Sequence, residues 1–235
     1  VTSSEDNLAP RAVNPHKHAA RRDEFIDAGQ RLIQTRGYEQ FSIEDLLAEV
    51  GSSKGAFYHY FESKLALLAA IVDRIARSGV DAVSGVVSDE SLSAIAKLER
   101  YFATIAALKS EQRDFLLALM RVWYSDDNAI VREKLRRQTF RLVTPHIAAI
   151  VRQGVSETVF TLADPDEMAR VVLSLILDMG DEAGTLYVAR QGGTVGIDEV
   201  RKRFTTYQAA LERVLGVRQG SLHLFDEKMI QAWFA

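Results

Sequence analysis

The chain contains no cysteine, which excludes a disulfide framework, a thiolate metal centre and a cysteine nucleophile, and suits a reducing compartment. Proline is scarce, with four residues among 235, so little interrupts long helices. Histidines number five. None stands in an H-E-x-x-H arrangement, and neither a Gly-rich phosphate loop nor G-x-S-x-G occurs. These absences point away from an enzyme, and no cofactor, metal site or catalytic residue is expected. No apolar run approaches the roughly 18 to 20 residues that cross a membrane, and the N-terminus is polar rather than a signal peptide. No membrane partner and a cytoplasmic location are the expectations.

A surplus of positive charge is missing too. Lys and Arg total 29 against 32 Asp and Glu, a net charge of −3. A dedicated nucleic-acid-binding domain is usually basic, so any such surface here has to be a local patch. Positive residues do collect early: Arg11, Lys17, Arg21 and Arg22 fall in a stretch, Ala9 to Arg22, that holds no acid. His16 and His18 lie among them and read as surface histidines of a solvated tail rather than metal ligands.

What is present is an ordinary globular balance, 47% hydrophobic and 26% charged, with apolar residues recurring at spacings of three and four. Runs of alternating strand character and internal repeats are lacking, so the fold class is all-α. A first helix is expected over about 17–36, with Phe25, Ala28, Leu32 and Ile33 on one face and Gly37 ending it. Ser42 followed by Asp45 is an acidic capping box, and Phe41 can staple onto Leu46. A short third helix begins after Ser52 or Ser53, and a fourth follows Ser63. Further helices are expected over 115–123 and over 129–151, the latter kinked or interrupted by Pro145. Asp164, Pro165 and Glu167 form a second clear start. The helix that follows ends at Gly192 and Gly193, another runs to Gly216, and an amphipathic piece spans 222–234.

The stretch GSSKGAFYHYFESK, from Gly51 to Lys64, carries the chemistry. A capped helix, a turn of Gly51, Ser52 and Ser53, then a short helix is the spacing of a helix-turn-helix. Phe57, Tyr60 and Phe61 fall three and four apart and point into a core. Lys54, Gly55 and Tyr58 are left on the opposite face, with His59 at its edge. Gly55 and Ala56 let the backbone approach a surface closely, and serines with free N–H groups at a helix N-terminus favour phosphate.

Over about Arg21 to Ala69, including RGYEQFSIEDLLAEVG and the S-K-x-x-L-L that follows the aromatic cluster, the sequence resembles the TetR family of bacterial transcriptional regulators. That resemblance implies a flexible tail over 1–15, a helix-turn-helix DNA-binding domain over 16–62 and a larger helical ligand-binding and dimerisation domain over 63–235. It implies a homodimer that binds double-stranded operator DNA of pseudo-palindromic sequence and lets go when a small-molecule effector binds. Carried over position by position, Ser42 touches a phosphate, Ser53, Lys54, Gly55 and Ala56 lie nearest the bases, and Ser52 is a further DNA-binding residue. Tyr58, His59 and Lys64 hold the DNA backbone, with Arg21 and Arg22 adding contacts. Lysine can donate to guanine O6 and N7, which makes Lys54 the candidate for base readout.

For the effector, Phe102, Met120, Trp123, Tyr124, Phe140 and Met179 are the candidate lining residues of a fairly apolar site; plain core packing is the alternative. Asp178, Asp181 and Glu182 form an acidic group that either counters a cationic ligand or is a solvated face. For the dimer, Leu175, Gly180, Gly184, Tyr187, Phe204, Tyr207 and Leu211 are the candidate contacts. Two other readings stay open at this point: a ligand-binding helical module with weak or lost DNA binding, and an activator of the same family.

Overall fold

A computed structural model describes residues 15–124 and 128–234, without the side chains of Pro15, Arg121 and Val122. The expected tail falls almost wholly outside the described residues. Every regular element among those described is a helix: α1 (Pro15–Arg36), α2 (Ile43–Val50), α3 (Lys54–Tyr60), α4 (Lys64–Ser88), α5 (Ala94–Glu111), α6 (Arg113–Trp123), α7 (Ala129–Ser156), α8 (Pro165–Gln191), α9 (Ile197–Leu215) and α10 (Glu227–Phe234).

Polar caps set most of the starts. Ser42, Ser53, Ser63 and Ser93 each accept from the backbone N–H three residues on, at α2, α3, α4 and α5, while Asp164 accepts from the amides of Asp166 and Glu167 at α8. Gly51 and Gly216 end α2 and α9 in the left-handed conformation, φ +62° and +69°, which a side chain would strain.

Pro145 does not break α7; the helix runs through it. Proline removes one helical N–H, and the carbonyl that loses its donor is that of Arg141. Both residues are exposed and line an open groove between α7 and α8, so that carbonyl is not sealed in the core. The final amphipathic piece is also shorter than expected. Leu222 and Leu224 are buried outside any helix, and only Glu227–Phe234 coils.

Three apolar clusters organise the helices. One holds Phe25, Ile26, Leu32, Ile33, Phe41, Leu46, Phe57 and Phe61 from α1–α3 and the turns beside them. The expected division after residue 62 does not bound it, because Leu67, Leu68 and Ile71 of α4 and Phe115 and Leu119 of α6 complete it. A larger core joins α4, α5, α7, α8 and α9. A third, with Leu186, Val200, Phe204, Ile230 and Phe234, seats α10 on α8 and α9. α4 therefore contributes Ile71 to one core and Val83 to another.

Candidate nucleic-acid interface

The capping box at α2 is closed in both directions. Asp45 N–H donates to Ser42 Oγ at 3.1 Å, and Ser42 N–H donates to Asp45 Oδ2 at 2.7 Å. Arg36, ending α1, reaches Asp45 Oδ1 at 3.0 Å, and Arg31 Nε donates to Glu49 at 2.8 Å. These bonds fix α2 against α1. Gly51 then turns the chain, with Ser52 N–H donating to Leu47 O at 3.0 Å, and Ser53 caps α3.

α3 divides its aromatics as its periodicity demands. Phe57 is fully buried and Phe61 nearly so, packed on each other and on Phe25 with ring centroids 5.7 to 6.3 Å apart. Tyr58 is 47% exposed. Ser53, Lys54, Gly55 and His59 are exposed with it, Ala56 is half-buried, and a Cβ placed on Gly55 would meet nothing closer than its own turn. This leaves one short helix with a rigid apolar back and an open face carrying a lysine, a tyrosine, a histidine and a nearly bare backbone. Lys54 reaches Glu44 of α2 at 3.7 Å with both side chains largely in solvent, a pairing weak enough to give way to a better anion.

The N-terminal turns of α1 lie beside the end of this helix. The Arg22 guanidinium stacks over the Phe61 ring at 5.3 Å, and Arg21 over Phe25 at 5.7 Å while also pairing with Glu24. His18 packs edge-on to His59, centroids 5.3 Å apart, and against Tyr60 at 4.6 Å. Sequence reasoning set His18 aside as a tail residue. Only the packing of α1 across α3 shows where it sits, although H-K-H followed one turn later by two arginines was the available signal.

Lys64 is engaged within the chain. Its ammonium donates to Phe41 O at 2.6 Å and to Tyr38 O, and lies 4.2 Å from the Phe41 ring centroid and 4.4 Å from that of Tyr38. Burial there lowers its pKa below the usual lysine value. The residue ties the start of α4 to the turn before α2.

The expected effector residues are not gathered round one cavity. Phe102 is core, edge-on to Phe225 at 5.6 Å. Phe140 lines the outer α7–α8 groove beneath Arg136 and Arg170. Tyr124 lies over Gly184, Met120 is half-buried on α6, and Met179 sits between two cores. Trp123 alone of the six lines the cavity of about 390 Å³ between α4, α6, α7 and α8, together with Val72, Ala76, Arg132, Arg136, Leu177 and Asp181. Burial raises the Asp181 carboxyl above its ordinary range despite the nearby arginines.

Three of the expected dimer contacts are engaged inside the chain. Leu211 is fully buried in the larger core, and Phe204 is buried beneath α10 against Phe225 and Phe234. Gly184 is the point where α8 approaches α6, because a Cβ there would fall 2.3 Å from the Tyr124 ring. Leu175, Gly180, Tyr187 and Tyr207 stay half-exposed, Tyr207 donating to Asp178. Of the acidic group, Glu182 pairs with Arg203.

A short helix held by its aromatic back, preceded by a capped helix and a glycine turn, with an open face that bears lysine and tyrosine, defines a helix-turn-helix DNA-binding protein. Residues 25–71 match the model of the bacterial regulatory proteins of the tetR family, and the proteins that the chain resembles over longer stretches are transcription regulators. It is 25% identical over 153 residues to the HTH-type transcriptional repressor DhaR of Mycobacterium sp. strain GP1, covering 65% of this chain and 77% of that protein. It is 30% identical over 130 residues to the HTH-type transcriptional regulator EthR of Mycolicibacterium smegmatis, covering 48% of this chain and 60% of that one. In fold it is similar to a TetR transcription regulator from Haloarcula marismortui, TM-score 0.59 at 24% identity, over 84% of this chain and 97% of the other. RolR in complex with resorcinol gives the same TM-score at 16% identity, over 93% and 95% of the two chains. Among the described residues no helix is long and apolar enough to cross a membrane.

Proposed function

We propose that the protein is a cytoplasmic repressor that binds a pseudo-palindromic DNA operator as a homodimer and releases it when a small molecule enters the cavity between α4, α6, α7 and α8. The observation that carries this reading is the open face of α3. Ser53, Lys54, Gly55 and Ala56 stand where a recognition helix meets base edges, and Tyr58, His59, Arg21 and Arg22 flank them as phosphate partners. Repression, rather than activation, is supported by the name of DhaR.

The dimer forms through α8 and its neighbours. Val171 and Val188, 44% and 38% exposed, are large apolar side chains left in solvent on that one helix, alongside half-exposed Leu175, Gly180 and Tyr187. A second copy gives them cover.

Consecutive residues of α4 supply the route from effector to DNA. Arg74 donates to Asp27 at 2.6 Å and Gln30 at 2.8 Å, both on α1. Its neighbour Asp73 accepts from Gln138 on α7, between the cavity-lining Arg136 and Thr139. A ligand that displaces α7 thus pulls on the helix that carries the DNA-binding unit. Ligand and DNA favour different states, so each weakens the other by the same factor. The cavity wall, part apolar and part arginine with Asp181, suits a ligand with an apolar body and one polar end, less purely apolar than the aromatic residues alone imply.

The test is selection of bound sequences from a random duplex library at moderate salt, repeated after denaturing and refolding the protein to strip any ligand. An enriched inverted repeat is the expected result. Failure to enrich any sequence in both rounds, with the protein folded, favours the helical module that has lost DNA binding.

A further inference from the structure

The open groove between α7 and α8 gathers six cationic side chains against two carboxylates, in a chain whose net charge is −3. Its space of about 1260 Å³ holds a ligand well beyond a single phosphate. Two of the cations are paired: Arg152 with Asp166, and Arg137 with Glu133 at 2.7 Å. The other four, Lys134, Arg136, Arg141 and Arg170, are exposed and make no ion pair among the described residues. Arg136 and Arg170 come from different helices and converge on Phe140, their guanidinium carbons 5.0 and 5.8 Å from its ring centroid. Lys134 and Arg141 lie about two turns apart on α7. The opposite end of the groove is neutralised, because Asp166 and Glu167 open α8 beside Arg152. We propose that the Phe140 end of this groove binds a small polyanion, a molecule carrying at least two phosphate or carboxylate groups.

Arginine suits such a ligand, since its planar fork sets two donors against one oxyanion. Lys134, Arg137 and Arg141 stand three and four apart on one face of α7, where like charges repel, and Glu133 offsets part of this through Arg137. An anion held between α7 and α8 relieves that repulsion. Several converging charges hold it where one exposed pair would contribute little. The free charge covers only part of the groove, so a compact ligand fits better than an extended acidic segment of another protein. Val171, on the dimer face proposed above, borders the groove from α8, but three of the four unpaired cations stand on α7. Arg136 ties the site to the cavity between α4, α6, α7 and α8, because it lines both. Among the cations near Asp181 it acts most strongly to keep that carboxyl ionised against burial. A polyanion that draws Arg136 outward therefore alters the cavity wall that Trp123 shares. Occupying the groove and filling the cavity are linked, and each changes the affinity of the other by the same factor.

Calorimetry at fixed ionic strength titrates inorganic triphosphate, citrate and inorganic phosphate into wild type, Arg141→Gln, Arg170→Gln, their double variant and Arg152→Gln. Melts and sedimentation accompany each protein. Triphosphate or citrate should bind one site per chain, about tenfold or more tighter than phosphate, and the tighter of the two identifies the oxyanion. Each of Arg141→Gln and Arg170→Gln should weaken that binding by about five- to thirtyfold, while Arg152→Gln should cost less than about twofold. In the Trp233→Phe protein Trp123 is the remaining tryptophan, and its emission should change with the calorimetric midpoint. Binding that survives in the double variant lies elsewhere, the DNA-binding face included, and overturns the site. Equal losses from Arg152→Gln, or unchanged Trp123 emission at saturation, would overturn it as well. So would a lost dimer in Arg170→Gln, which would assign the groove to the second copy. No arm uses DNA, so each of these results leaves the regulator reading intact, and a failure of operator binding would leave the site intact.

Discussion

The Lys64 ammonium donates to the carbonyl oxygen of Phe41 at 2.6 Å, and this one bond joins the first residue of α4 to the residue just before the cap of α2. With the second bond to Tyr38 O it closes the base of the DNA-binding unit. Lys64→Ala should lower stability by about 1–3 kcal/mol, since charge-assisted bonds are lost and carbonyls are left unmet. The slope of log K against log salt should stay as in wild type. Denaturant melts and a salt titration separate the two effects; a slope reduced by about one unit at unchanged stability would return Lys64 to the phosphate contacts.

Lys54 has the opposite expectation. Lys54→Ala should leave the melt unchanged, weaken the best operator by about 1–3 kcal/mol and flatten the preference at one base position. Glu44→Gln, which removes the carboxylate 3.7 Å from Lys54, should tighten binding to all sequences. Competition between selected and random duplex reads both, and equal losses on every sequence from Lys54→Ala would undo its role in base readout.

Two glycines four apart on α8 should behave differently. Gly184→Ala places a methyl 2.3 Å from the Tyr124 ring and should cost about 1–3 kcal/mol with the oligomeric state unchanged. Nothing lies within 4 Å of a Cβ on Gly180, so Gly180→Leu should fold without an internal clash, sediment as a monomer, and lose only the stability that dimerisation adds. A stable dimer from that variant would move the interface elsewhere.

The capping box predicts a pH dependence. Hydrogen bonds from the Ser42 backbone and hydroxyl, then Arg36, hold the Asp45 carboxyl below its ordinary value of 3.8. A carboxylate with a depressed folded pKa stabilises fully above the unfolded value and stops doing so as pH falls through the folded one. Asp45→Asn should therefore lower Tm at pH 7, and the gap from wild type should close between about pH 5 and pH 2. A gap that stays constant to pH 2 would contradict the assignment.

The parts of this fold that announce themselves in the sequence are those set locally. Ser42 with Asp45, Gly51, Ser53 and Asp164 with Pro165 are caps and breakers whose effect needs no tertiary partner, and each marks an observed boundary. The split of aromatics on α3 follows from spacing alone. What stayed hidden depends on which helix crosses which. Glu212, within α9, is buried and accepts from the amides of Gly220 at 2.9 Å and Leu222 at 3.1 Å, pinning the segment that leads to α10; sequence pattern gives no sign of it. The approach of Tyr124 to Gly184, and the two carbonyls, more than twenty residues earlier, that accept from Lys64, are just as unmarked in the sequence. The packing of His18 is hidden for the same reason: its partner His59 is on another helix.

The absence of cysteine permits a direct view of α3 on DNA. A Glu62→Cys variant, carrying a single thiol at an exposed position just past α3, can be labelled with an iron chelate that cuts the nearest deoxyriboses in the selected duplex. Cleavage in two clusters placed symmetrically, with centres about 34 to 36 Å or somewhat more apart, is the result expected if two copies of α3 enter successive major grooves. An even ladder of cuts, or none from a complex that remains bound, would contradict it.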